Sequence, residues 1–442
     1  MRTGESIPAG AEVVSAAPDV SFIPTWADMD EAARTEYWAA LALRHCRGLG
    51  ARSCARLLRV FGSAYQALQG RQRWAEAGLN RRQAAEMSTG SWRTTARGEW
   101  DQARRLHAGI LLWTNPCYPQ RLRELSDAPV LLYCRGDLSL LHSPAFAIVG
   151  SRRATAQGLA VAAYMARCLA ACGIAVVSGM AQGIDSVAHE AALAQVGRSI
   201  GVLGTGIDQM YPRSGEKLFQ AMEERGLLLS EFPPGAPPRA EHFPIRNRII
   251  SGLALGVLVV EAASRSGSLI TARLALEQNR EVYAVPGPAL DAHCLGCQDL
   301  VRQGARPVFS AEDVLRDLAG QLRPFGISEA SLPETEKALS LPVPKARKER
   351  TKQAETCGER LAKDAVALPL PSEHPCVEAE SLVPADRGER LLHCLRARGP
   401  MQADTLAVAL DMPVHELNAL LVGLEMLAQV RRLPGARYEV PA

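Results

Sequence analysis

The chain has 442 residues, 22% charged, 47% apolar and 5% aromatic, an ordinary composition for a folded protein of roughly two to four domains. That excludes a wholly disordered or collagen-like chain. With 50 basic against 47 acidic residues the net charge is only +3, so a polyanion partner has to be argued from local charge.

Residues 1–30 hold Glu5, Glu12, Asp19, Asp28 and Asp30 against one Arg and read as a flexible N-terminus rather than a basic-then-apolar leader. No apolar run approaches the roughly 18 residues that span a bilayer, so the expected location is cytoplasmic, away from membranes. The 11 cysteines are odd in number and lack framework spacing, which predicts reduced thiols. Cys294 and Cys297 form a CxxC without a second ligand pair nearby, so no metal and no cofactor is expected.

Residues 31–110 carry 14 Arg and 6 acids, a local charge of +8. They read as short helices, and Arg47-Gly48-Leu49-Gly50-Ala51-Arg52 as a tight turn of a helix-hairpin-helix-like module. The turn either faces a DNA phosphate, with Arg52, Arg56 and Arg59 adding charge, or belongs to a packing module with a solvated face.

Within 111–323, short apolar runs alternate with helical stretches, the pattern of a doubly wound parallel sheet. The predicted strands are 130–133, 145–149, 174–177, 200–203, 227–229, 257–260 and 282–285. Small or polar loops follow them, and such loops gather at the carboxyl ends of the strands, where helix N-termini attract anions. Neither GxGxxG nor GxxxxGK[ST] is present, and the segment's only Lys is Lys217. The available chemistry is binding by backbone amides, hydroxyls and Arg.

Phe243-Pro244-Ile245-Arg246-Asn247-Arg248 offers phosphate forks, a base-edge reader and a stacking surface. Alternatively, Arg246 and Arg248 pair with Glu231, Glu241 or Glu261 to hold the sheet edge. Asp185 and His189 stand four apart, either as an acid–base pair or as a helix cap and a residue on the same face.

Residues 324–388 contain eight prolines and one aromatic, and read as a disordered linker. Residues 389–442 regain helical periodicity and end in a hairpin around Pro434-Gly435, which predicts a winged helix.

Over roughly 118–309 the sequence resembles the DNA-processing protein A family, also called Smf. The resemblance rests on Gly150-Ser151-Arg152, on Ser178-Gly179 through Asp185 with His189, and on Gly204-Thr205-Gly206 with Tyr211-Pro212. It continues through Phe243-Pro244 to Ser251-Gly252, then Glu261-Ala262 with Ser266-Gly267-Ser268, and Pro286-Gly287. Gln298 departs from the family, which more often has Asn or His there.

The resemblance implies an extended Rossmann-like domain between an N-terminal helical module and a C-terminal winged helix. It further implies a non-enzymatic mediator that binds and protects incoming single-stranded DNA during natural transformation. Such a protein helps displace single-strand-binding protein, loads the RecA recombinase and acts as a homodimer. Carried onto this chain, the DNA-binding residues are Gly150, Ser151, Arg152, Phe243, Arg246, Asn247, Arg248, Ser266, Gly267 and Ser268. The competing expectation is a Rossmann-like hydrolase of nucleoside monophosphates.

Overall fold

The computed structural model describes residues 24–333 and, towards the C-terminus, 385–399, 401–410, 412, 417, 420, 421, 424, 429–433 and 437–440. The chain divides into two compact units, 1–346 and 347–442.

In the first unit, five helices precede the sheet: α1 (Glu31–His45), α2 (Ala51–Phe61), α3 (Ala64–Gln69), α4 (Arg81–Thr89) and α5 (Arg93–Leu106). Asp30 starts α1 by accepting from the Ala33 N–H at 2.7 Å, and Asn80 and Gln83 close a capping box on α4. The expected turn between α1 and α2 is present, with Gly48 at φ +80°, where a side chain would be strained.

These helices pack on the sheet rather than standing apart from it. Tyr37 of α1 and Tyr133 share a hydrogen bond of 2.8 Å, and the Tyr133 hydroxyl donates to Glu99 of α5 at 2.6 Å. Residues 24–30 depart from the expected flexible N-terminus. Thr25 bridges to Gly109, and Met29 is buried in the same core as the helices. Residues 1–23 lie outside the described residues.

Nine strands follow: β1 (Gly109–Leu112), β2 (Leu131–Gly136), β3 (Ala145–Val149), β4 (Ala175–Ser178), β5 (Ser199–Leu203), β6 (Leu227–Ser230), β7 (Gly256–Val259), β8 (Glu281–Ala284) and β9 (Arg306–Pro307). Their order is β1-β2-β6-β5-β4-β3-β7-β8-β9. From β6 to β9 every pairing is parallel, while β1 and β2 add an antiparallel edge. All seven predicted strands are present, and β1 and β9 are additional.

The remaining helices of this unit are α6 (Gln120–Arg123), α7 (Ala156–Ala171), α8 (Ile184–Leu193), α9 (Glu216–Arg225), α10 (His242–Leu253), α11 (Ser268–Glu277), α12 (Leu295–Arg302), α13 (Ala311–Asp317) and α14 (Ala319–Leu322). Strand β3 shows why both faces need covering. Ala145, Ala147 and Val149 enter one core cluster, and Phe146 and Ile148 the other. Chain order reverses between β3 and β7, which makes their carboxyl ends the topological switch point.

The start of the expected linker is part of this unit, because Ile327 and Leu332 are buried with α7 residues. The rest of it, 334–384, lies outside the described residues. The second unit has α15 (Ala385–Arg398), α16 (Ala403–Leu410) and helical positions at Leu417, Leu420, Leu421 and Leu424. Strands β10 (Met401–Gln402), β11 (Arg431–Leu433) and β12 (Arg437–Glu439) form an antiparallel sheet ordered β10-β12-β11, with Arg432 opposite Tyr438. Leu391, Leu395, Leu406, Leu417 and Leu421 supply its core. This is the predicted winged helix.

Candidate nucleic-acid interface

A cleft of about 810 Å³ opens at the switch point. Its floor is the loop that leaves β3. The Ser151 N–H donates to the Glu261 carbonyl at 2.7 Å, and the Ser151 carbonyl accepts from the Ile184 N–H at 3.2 Å. A Cβ on Gly150 would fall 2.6 Å from Ile184 Cγ1, so this close approach requires glycine. At Gly183, with φ +85°, a Cβ would collide with the Ser151 carbonyl oxygen.

Nine of the ten predicted residues line this cleft: Gly150, Ser151, Arg152, Phe243, Arg246, Asn247, Ser266, Gly267 and Ser268. The tenth, Arg248, does not. It is 5% exposed, with Nη2 at 2.5 Å from Glu231 and Nε at 3.8 Å from Asp127. That is the sheet-edge pairing held open as the alternative. The segment is helical, and successive helical residues turn by about 100°, so two residues apart means nearly opposite faces.

Arg152 and Arg246 serve the cleft differently. Arg152 is exposed, its guanidinium 5.3 Å from the Phe243 ring centroid. Arg246 is 3% exposed and donates to the Val202 carbonyl. Burial lowers its pKa to about 10, against the opposing pull of Asp185. Its Nε has no hydrogen-bond partner. Phe243 packs so closely on Gly204 that a Cβ there would lie 2.8 Å from the ring, and Tyr211 flanks it at 5.6 Å.

Asp185 and His189 belong to the scaffold. The Asp185 carboxylate accepts from the Gly179 N–H at 3.0 Å and the Ala181 N–H at 3.4 Å, so it ties down the preceding loop instead of capping its own helix. His189 is fully buried. Its Nε2 accepts from the Met180 N–H at 3.4 Å, which places the proton on Nδ1, 2.7 Å from Ser199 Oγ. Burial, with the Arg246 charge nearby, pushes His189 down to about 3. Burial raises the Asp185 carboxyl. His189 is therefore neutral near pH 7 and is committed to the scaffold rather than to proton exchange with a ligand.

Four residues outside the ten predicted ones complete the site. Arg153 and Arg265 also line the cleft, giving four arginines with Arg152 and Arg246 against the single lining carboxylate of Asp185. Tyr211 adds a 41% exposed ring. Thr155 caps α7 by accepting from the Gly158 N–H at 3.0 Å and bonds Glu261 across the switch point. Arg265 and Tyr211 sit within motifs already recognised, so proximity to the glycine loops was the available signal. The Gln298 side chain donates to the Pro288 carbonyl at 2.7 Å, a loop-holding contact. Among the described residues no three His, Cys, Asp or Glu gather as metal ligands, and burial pushes the Cys297 thiol up to about 12.

Fold and cleft together define a Rossmann-like α/β protein with a cationic crevice at its switch point and a separate winged helix. Residues 109–319 match the family model for DNA recombination-mediator protein A, and residues 378–436 match the DprA winged helix domain. The DNA processing protein DprA of Streptococcus pneumoniae is 47% identical over 201 residues, covering 46% of this chain and 71% of that protein. Protein Smf of a Synechocystis strain is 34% identical over 332 residues, 74% of this chain and 78% of that protein. An X-ray structure of the Streptococcus pneumoniae DprA matches with a TM-score of 0.56 at 36% identity, covering 63% of this chain and 97% of that one. The chain belongs to the DNA recombination-mediator protein A family of DNA processing proteins.

Proposed function

We propose that the cleft binds single-stranded DNA, and that the protein protects incoming strands, helps displace single-strand-binding protein and loads RecA during natural transformation. The reading assigns it no catalysis and a homodimeric working form in the cytoplasm. The observation that carries it is the pairing of exposed Arg152 with Phe243 at 5.3 Å, beside the glycine floor and the α11 N-terminus. A phosphate fork next to a stacking face suits a flexible strand that can bend into a crevice, as a stiff duplex cannot.

The carboxylates nearest the crevice favour binding over hydrolysis. Glu261 is engaged by the Thr155 N–H and hydroxyl, and one oxygen of Asp185 by two loop N–H groups. A nucleoside monophosphate hydrolase needs a carboxylate or a base free to activate water.

The test is equilibrium binding of fluorescent single-stranded and duplex oligonucleotides across a salt series, with Arg152→Ala beside wild type. The expected result is single-strand preference, with log affinity falling by about 0.7 per phosphate contact per log unit of salt. Arg152→Ala should weaken every single-stranded sequence alike. Equal, weak binding to both forms, untouched by the variant, would overturn the site. Assembly of RecA on strands pre-coated with single-strand-binding protein tests the loading step. Sedimentation tests the dimer, and product release from a nucleoside monophosphate panel tests the absence of hydrolysis.

A further inference from the structure

Away from the cleft, a second group of exposed arginines lies around the α1–α2 turn. Arg52, Arg56 and Arg59 follow one exposed stripe of α2, whose other face buries Cys54, Leu57, Leu58 and Phe61. Gln83 donates its side-chain N–H to the Gly48 carbonyl at 2.8 Å, which fixes the start of α4 against the turn. Arg81 and Arg82 open α4, and Arg47 precedes Gly48. The Arg56 guanidinium lies over Gly78, just before Asn80, the cap of α4.

Arg47, Arg52, Arg56, Arg81 and Arg82 are all exposed, and among the described residues none makes an ion pair or a side-chain hydrogen bond. The acids of this region are largely engaged. Glu99 is held by Arg44 and His45, Glu76 by Arg73, Asp101 by Arg97, and Glu86 takes the Ser91 hydroxyl. Arg59 donates to the Leu125 carbonyl at 3.1 Å and so stands at the margin of the patch.

We propose that this five-arginine surface is a second nucleic-acid site, one that takes the sugar-phosphate backbone of duplex DNA. Guanidinium forks match phosphates, and five unpaired charges on an open surface repel one another until a polyanion neutralises them. The surface lies on the outside of helices rather than in a crevice, so a stiff duplex can lie against it without bending. Contacts to phosphates carry no sequence information, so recognition there is independent of sequence. One chain then holds both sides of a junction between single-stranded and duplex DNA.

The experiment compares the full chain with the triple variants Arg52→Glu/Arg81→Glu/Arg82→Glu and Arg52→Lys/Arg81→Lys/Arg82→Lys. Each is titrated with a single strand, a blunt duplex and a duplex with a single-stranded tail. Charge reversal should weaken the blunt duplex by about tenfold or more at low salt and reduce its salt slope by about 0.9 per lost contact. The single strand should stay within about twofold, and the lysine variant should keep most of the duplex affinity. Should the reversal variant fail to fold, the corresponding glutamine triple carries the same expectation with a smaller loss. Duplex affinity and salt slope unchanged in a folded variant, or an equal loss for single strand and duplex, would overturn the proposal. Arg152→Ala, measured alongside, separates failure of this surface from failure of the cleft.

Discussion

Glu261, in the loop just after β7, and Thr155, the cap of α7, are bonded twice across the switch point. The Thr155 N–H donates to the carboxylate at 3.1 Å and its hydroxyl at 2.7 Å. The Glu261 backbone carbonyl also holds the Ser151 N–H, so one residue sets the loop carrying Arg152 from both ends. Glu261 is 2% exposed and Gly158 leaves it room, since any Cβ there would strike the carboxylate.

Glu261→Ala should therefore cost about 1–3 kcal/mol of stability, because it leaves the partly buried Thr155 donors without their acceptor, and should weaken single-strand binding beyond the stability loss. Thr155→Val should cost less, about 1–2 kcal/mol. A double-mutant cycle read by chemical denaturation should give a coupling of about 1 kcal/mol or more. Strict additivity would show that the two residues act separately.

Arg152 and Arg246 should separate cleanly. Arg152 is exposed, so Arg152→Ala should leave the melting temperature almost unchanged while weakening DNA binding and lowering the salt slope by about 0.7. Arg246 is buried beside Asp185, and Arg246→Ala should destabilise by about 3–5 kcal/mol because it leaves a buried carboxylate without its countercharge. Denaturant midpoints measured beside DNA titrations check both.

Gly183→Ala should disrupt the floor of the cleft. Its backbone sits at φ +85°, ψ −125°, a conformation close to glycine-only, and the added Cβ meets the Ser151 carbonyl. A loss of about 1–3 kcal/mol from strain alone is expected, with further loss from the collision. Gly267→Ala is the control, because nothing lies within 4 Å of its Cβ position. It should keep its stability.

His189 makes the fold sensitive to mild acid. An unfolded histidine titrates near 6.5, whereas the folded one is held down to about 3. Between those values the unfolded chain binds a proton that the folded chain refuses. Stability should fall as the pH drops through that window, by at most about 1.4 kcal/mol per pH unit from this residue. Asp185, whose carboxyl is raised in the fold, acts in the opposite sense nearer pH 4 and above, where the folded chain takes up its proton first. Melting temperatures from pH 7.5 to 5 should decline in wild type and flatten in His189→Gln. Equal slopes would remove His189 as the cause.

Phe243→Ala should lower single-strand affinity by about 1–3 kcal/mol, the worth of one stacked base, and Phe243→Tyr should retain most of it. Titration at fixed salt reads both. A loss confined to the alanine variant fits stacking, and equal losses would point to displacement of the ring from its seat on Gly204.

The sequence alone was enough for the features that depend on near neighbours. Seven apolar runs between glycine-rich loops were legible as strands, because a strand buried on both faces needs an unbroken apolar run. The motifs carried the cleft as well, since loops after parallel strands must collect at one sheet edge. Strand β1 escaped notice because Gly109–Leu112 is a four-residue run parted from α5 by only His107 and Ala108, and β9 is two exposed residues that only a neighbouring strand defines.

Tertiary structure decided what depends on partners distant in the chain. Arg246 and Arg248 look equivalent in sequence, yet one turns towards the cleft and the other towards Glu231, because the segment became a helix. Asp185 and His189 could have been an acid–base pair. Burial against loop amides and Ser199 made them scaffold, since a charge removed from water is held only where partners are fixed in place. The unpaired arginines around Gly48 became one surface only when α4 packed against the turn. Local propensity writes the elements, but the dielectric and the partners that each charge meets exist only after the chain has folded.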